Sequence, residues 1–253
     1  MTRSLLSGGV IAGAITGLAV AFLQFFLIQP LIIEAERYET GELVLMGVAQ
    51  DDPSGSSGDP VLPAHDADDA DEEVGIVVRN GLTVLTLVLT WSGFGLVAGA
   101  ALATHRALWG PHSISAPALA LSGFAAFALS PSLGLPPELP GMLAADLSDR
   151  QMWWVMSAAA TATVAGLFLA SGVKSWPGRL AGLALMVAPH LLGAPQPPAS
   201  VPVIPPDLAA LYSARVLGLS LIGWLALASL LFRLMPEDGR EQPTAVAEAV
   251  DTR

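Results

Sequence analysis

Three groups of residues in this chain have the chemistry to hold a cation. Glu34, Glu36 and Glu39 come directly after a long apolar segment, in the stretch PLIIEAERYE. Carboxylates beside a bilayer are costly to desolvate, so such a row reads either as a solvated boundary or as a place where a cation is received. His65, Asp66, Asp68 and Asp69 open a second group, continued by Asp71, Glu72 and Glu73. Oxygen ligands with one imidazole suit Mg²⁺ or Ca²⁺ and, weakly, Co²⁺, Ni²⁺ or Zn²⁺. The spacing is not that of an EF-hand, and like-charge runs are commonly solvated linkers, so a capture loop and a plain linker both stand. His190 is the third candidate. It comes after Pro189, which removes a hydrogen bond to the Leu185 carbonyl and bends a helix, leaving an imidazole beside a freed acceptor.

Within one continuous helix Glu34 and Glu36 would point about 200° apart, so they can share an ion only if the helix ends near Pro30 or Ile33. These constraints predict a metal-receiving site of Glu34, Glu36, His190 and Glu138 around a helix broken near Pro30. Carboxylate and imidazole together match the borderline hardness of Co²⁺ and Ni²⁺.

The elements that must position these residues are membrane helices. Of 253 residues, 53% are apolar and 13% charged, and the apolar ones are gathered into blocks. A hydrocarbon core of ~30 Å needs about 20 residues of helix. Apolar segments at 5–33, 81–104, 114–130, 152–173, 180–192 and 208–234 predict an all-α bundle of about six transmembrane helices. The count falls to five if 180–192, which is short and holds Pro189, does not cross. Residues 1–236 then form one membrane domain with a mobile acidic outer loop at 49–74, and 237–253 a disordered cytoplasmic tail. Gly9, Gly13 and Gly17, with Gly95 and Gly99, have the four-residue spacing of closely packed membrane helices.

With six spans, Arg3, Arg106, Lys174, Arg179, Arg233, Arg240 and Arg253 fall on one side, and only Arg37, Arg79, Arg150 and Arg215 on the other. The positive-inside rule places both termini in the cytoplasm, for a multi-pass protein of the inner (plasma) membrane. Trp153 and Trp154 read as an aromatic belt, and His105 and His112 as headgroup-level residues.

Several functions are disfavoured. A net charge of −11 argues against nucleic acid as a partner, and the absence of cysteine removes thiolate sites and disulfides. There is no G-x-S-x-G, HExxH, Walker loop or GxGxxG, so the chain reads as a non-enzyme without a cofactor.

Three segments together, RSLLSGGVIAGAITGLAVAFLQ with PLIIEAERYE, PSLGLPPELPGMLAADLSDRQMWW, and APHLLGAP, resemble the cobalt transporter family of the CbtA type. The resemblance implies a cobalt permease subunit, with nickel as the other cargo. It also implies a small single-span membrane partner bearing C-terminal histidines. It carries over Glu34, Glu36, Glu39, Glu138, Asp146, Arg150, Gln151, Trp153, Trp154 and His190 as motif positions, and it implies five spans where the segments above number six. The function expected is the membrane subunit of a transition-metal uptake system, drawing on about 4.6 kcal/mol per divalent ion at 100 mV. The alternative is a scaffold or regulatory subunit that gathers cations for another transporter.

Overall fold

Each of the six apolar segments contains helix in the computed structural model, which describes residues 2–43, 69–110, 112–169, 175–197 and 204–235. Helix α1 spans Thr2–Leu27, α2 Gln29–Glu39 and α3 Asp69–Trp109. Helix α4 (Ala116–Phe124) continues through a π-helical turn (Ala125–Leu129) into the short α5 (Ser130–Ser132). Then come α6 (Leu147–Leu169), α7 (Trp176–Leu192) and α8 (Pro206–Leu234), with no strand among the described residues. Among the described residues three segments are long and apolar enough to cross a bilayer: Leu6–Leu27, Gly75–Trp109 and Pro206–Leu234. The rod Ala116–Ser132 is apolar but shorter, α7 has 17 residues, and α6 carries Asp149 in its first turn. Exposed Phe22, Phe26 and Leu89 belong to the apolar outer surface that lipid would cover.

Glycine sets the closest contact. The ridge Gly9–Gly13–Gly17 of α1 lies directly on Gly95, Trp91–Ser92 and Val88 of α3, so α1 and α3 run antiparallel. A Cβ on Gly17 would stand 2.7 Å from Val88 Cα, and one on Gly9 2.9 Å from the Gly95 carbonyl oxygen. Backbones that approach this closely gain dispersion contacts that lipid does not replace. Gly99 instead faces α8, nearest to the Met235 sulfur.

The remaining rods alternate in direction as well. Gly8 lies against Met235 while Arg215 reaches the Leu27 carbonyl, which makes α8 antiparallel to α1. Gly123 meets Trp224, and Phe127 stacks on Trp224 at 5.6 Å. Gly182 meets Val164 and Phe168 while His190 meets Trp153, so α7 runs antiparallel to α6. Trp91, Phe94, Phe127 and Trp224 join α3, the π turn and α8 in one aromatic core.

Alternation gives the bundle two unlike ends. Arg106, Arg179 and Arg233 lie toward one. Toward the other lie Glu34, Glu36, Glu39, Glu42, Glu138, Asp146, Asp149 and Asp207, together with Arg37, Arg79, Arg150 and Arg215. Each of these four arginines is held: Arg37 by Glu42, Arg79 by Glu36, Arg150 by Glu138 and Arg215 by the Leu27 carbonyl. The hydrogen bond to Glu42, then its charge, raises the Arg37 guanidinium further above its ordinary range.

Some expectations change here. The first rod breaks at Ile28, and Pro30 begins the next helix instead of ending one. Proline is tolerated in a first turn, where its missing N–H has no intrahelical partner. Helix then continues through Glu34 and Glu36, which therefore do not converge. Asp69, placed in the capture loop from sequence, begins α3, and residues 69–74 continue that helix. His65, Asp66 and Asp68 lie outside the described residues, as does the tail 237–253. His105 is buried: its Nδ1 lies 2.8 Å from Ser113 Oγ and its ring packs on Trp109.

Candidate functional site

The acidic end is assembled from four places in the sequence. At the corner between α1 and α2 the Leu31 N–H bonds to the Ile28 carbonyl, which leaves the Leu27 carbonyl without its usual helical donor. Arg215 Nη1 supplies one at 2.9 Å, anchoring the corner to α8. Helix α2 then packs Leu31 and Ala35 on Leu139, Ile204 and Leu208. The loop bearing Leu139 turns at Gly141, whose φ of 78° favours glycine and whose missing side chain leaves room for Glu39. Glu34 is exposed, whereas Glu36 is half-buried and faces Arg79 of α3 at 3.4 Å.

Glu138 and Arg150 meet at 2.6 Å across the loop leading into α6. The pair is partly covered, with 18% of the Glu138 side chain and 32% of that of Arg150 exposed. Asp146 accepts the Arg150 N–H at the start of α6 and is exposed, while Gln151 and Trp154 line a cleft beside the ion pair.

Beneath this level lies a buried cluster that the sequence pattern does not reveal. Ser130 Oγ accepts from Thr161 Oγ1 at 2.8 Å, lies 2.9 Å from Ser157 Oγ and is 3.2 Å from His190 Nε2. A hydroxyl offers one donor and two acceptor positions, so these three contacts use the full capacity of Ser130. Ser130, Ser157 and Thr161 are all buried. The π turn delivers Ser130 to this place: its N–H bonds back to the Ala125 carbonyl, five residues earlier. Such bulges recur at functional sites. The signals in the sequence are the Ser130–Pro131–Ser132 triplet closing an apolar rod and the hydroxyls of α6, but their meeting depends on helix rotation, which local pattern does not specify.

Trp153 belongs to this cluster and not to a lipid-facing belt. It is 3% exposed, its ring stands edge-on to His190 at 5.5 Å, and it covers Gly134. Its Nε1 has no protein partner. Trp154 is 36% exposed and its ring lies beside that of Phe127.

The structure therefore does not gather Glu34, Glu36, His190 and Glu138 into one coordination shell. No three histidine, aspartate or glutamate side chains among the described residues stand close enough to hold an ion together. The reasons are local: α2 points its glutamates apart, Arg150 engages Glu138, and His190 turns toward Ser130. What the structure does is bring all ten motif positions to one end of the bundle.

Residues 2–235 match the family described as probable cobalt transporter subunit (CbtA). The chain belongs to the CbtA family. Neither the curated proteins nor the solved structures contain a match. CbtA membership and membrane-length apolar helices make this chain a membrane protein of the transporter-subunit class.

Proposed function

We propose that this CbtA protein is the ion-conducting subunit of a transition-metal uptake system, carrying Co²⁺ or Ni²⁺ inward through a bundle crossing the inner membrane six times. The observation that supports this most is the alternation of the rods. It sets Glu34, Glu36, Glu39 and the Glu138–Trp154 stretch at one end and leaves Arg106, Arg179 and Arg233 at the other. With the arginine-bearing end in the cytoplasm, both termini are cytoplasmic and the carboxylates face the incoming ion.

In this reading Glu34 and Glu39 attract the hydrated cation, and Glu36 leaves Arg79 to take part. Exchange of one cation for another at an exposed carboxylate has a small energetic cost, since such ion pairs contribute about 0–1 kcal/mol. The hydroxyl and imidazole cluster around Ser130 and His190 is a polar station within the apolar interior, where unused polar groups would be expensive. A small single-span subunit with C-terminal histidines is the partner proposed to accept the ion.

The test is uptake of radioactive cobalt into vesicles containing the chain alone and with that partner, with nickel as competitor. Uptake that requires this chain and falls strongly in Glu34→Gln supports conduction. No uptake with either composition, alongside stimulation of a separate transporter, would favour the scaffold reading.

A further inference from the structure

Helices α6 and α8 both pack on the π turn, and among the described residues their backbones stay apart from each other. Between them lies a cleft of about 680 Å³, walled by Phe127, Trp154, Val155, Val216 and Leu217. Where α6 begins, its lining turns to a charged mouth-side end carrying Glu138, Arg150 and Gln151. Trp154 lies one helical turn further into α6 than Arg150, at the depth where amphipathic aromatic rings mark the interface. The charged mouth thus stands at headgroup level, and the apolar walls extend into the hydrocarbon.

Both partners of the ion pair retain hydrogen-bonding capacity. The contact joins Arg150 Nη2 to Glu138 Oε2, which leaves Glu138 Oε1 and further guanidinium N–H groups available. An adjoining ligand with both charges could bind without separating the pair. Exposed Asp146 and Asp149 stand on the same stretch and oppose a headgroup of net negative charge.

We propose that the cleft binds one phospholipid with a zwitterionic, primary-ammonium headgroup, its ammonium on Glu138, its phosphate on Arg150 and Gln151, and an acyl chain between α6 and α8. Phosphatidylethanolamine has this chemistry. Phosphatidylcholine lacks the N–H donors, and phosphatidylglycerol lacks the cation. This inference does not depend on which ion the protein carries.

The full chain, reconstituted with equal amounts of the three lipids, is extracted into mild detergent, and bound lipid is read by native mass spectrometry. The wild-type protein should retain a single phosphatidylethanolamine with about tenfold preference, the value of one charge-assisted hydrogen bond. Glu138→Gln combined with Arg150→Gln should keep a lipid in the cleft but lose the preference. Ser220→Phe, which fills the cleft wall on α8, should abolish retention with helicity unchanged by circular dichroism. Should that variant fail to fold, Leu217→Trp fills the same space. Absence of retained lipid in the wild type, equal retention of all three, or a preference that survives the double glutamine variant would each overturn the proposal.

Discussion

Replacing Gly17 by alanine tests whether the glycine ridge holds the first two rods together. The added Cβ would stand 2.7 Å from Val88 Cα and 2.9 Å from the Leu87 carbonyl oxygen, whereas ordinary contact begins at 3.4 Å. Both obstacles are backbone, so no rotamer change relieves them, and α1 must withdraw by about 0.7 Å. A gap of this size forfeits a quarter to a half of the attraction of each contact along the neighbouring ridge. Overpacking of a tight interface costs about 1–3 kcal/mol, against which alanine recovers ~1 kcal/mol of helix propensity. The control is Gly218→Ala in α8, where an added Cβ meets nothing within 4 Å. Thermal unfolding in detergent, followed by circular dichroism, should show Gly17→Ala less stable than the wild type and Gly218→Ala equal or more stable. If Gly17→Ala unfolds at or above the wild-type temperature, the ridge does not set the contact between α1 and α3.

Ser130→Ala removes the shared partner of Thr161, Ser157 and His190, and should cost about 1–3 kcal/mol in the same unfolding assay. A neutral result would mean the cluster contributes nothing to stability. Arg79→Gln breaks an exposed pair and should change stability by less than about 1 kcal/mol while altering cobalt uptake at low ion concentration. Identical uptake curves would remove Glu36 from the path. Reporter fusions after Leu169 and after Leu234 should both read cytoplasmic; a periplasmic signal at the second alone would mean an odd number of crossings.

The helices are legible in the sequence because each rests on a block of apolar residues, and block length survives whatever the neighbours do. The glycine contacts are legible for the same reason, since a four-residue repeat fixes one face of a helix. The convergence of the site residues is not. A proline interrupts a helix in progress, and on that ground Pro30 reads as a terminator; here the interruption falls two residues earlier, and Pro30 sits where a helix begins. His190 stands out in the sequence as unusual, but its partner is the Ser130 hydroxyl on α5, which in turn bonds to Ser157 and Thr161 on α6, and that meeting depends on how the helices are rotated. Glu138 and Arg150 both stand out as well, yet their mutual engagement depends on the path of the loop between them.

The π turn at Ala125–Leu129 has a consequence for how this chain can change. It is in effect one extra residue accommodated within a helix, and each residue rotates the remainder of the rod by about 100°. Straightening the turn to regular α-helix at constant length would swing Ser130 away from Ser157, and with it Pro131 and Ser132 away from the cleft, whereas deleting Ala126 removes the extra residue and the bulge together and leaves their phase unchanged. The buried hydroxyl cluster and the cleft are therefore phased by the same single insertion, so that the chain gains or loses both in one step. Point substitutions at Ala126 should be tolerated according to size alone, while a second residue inserted there, rotating the remainder of the rod by about 100°, should behave as a loss of two sites at once.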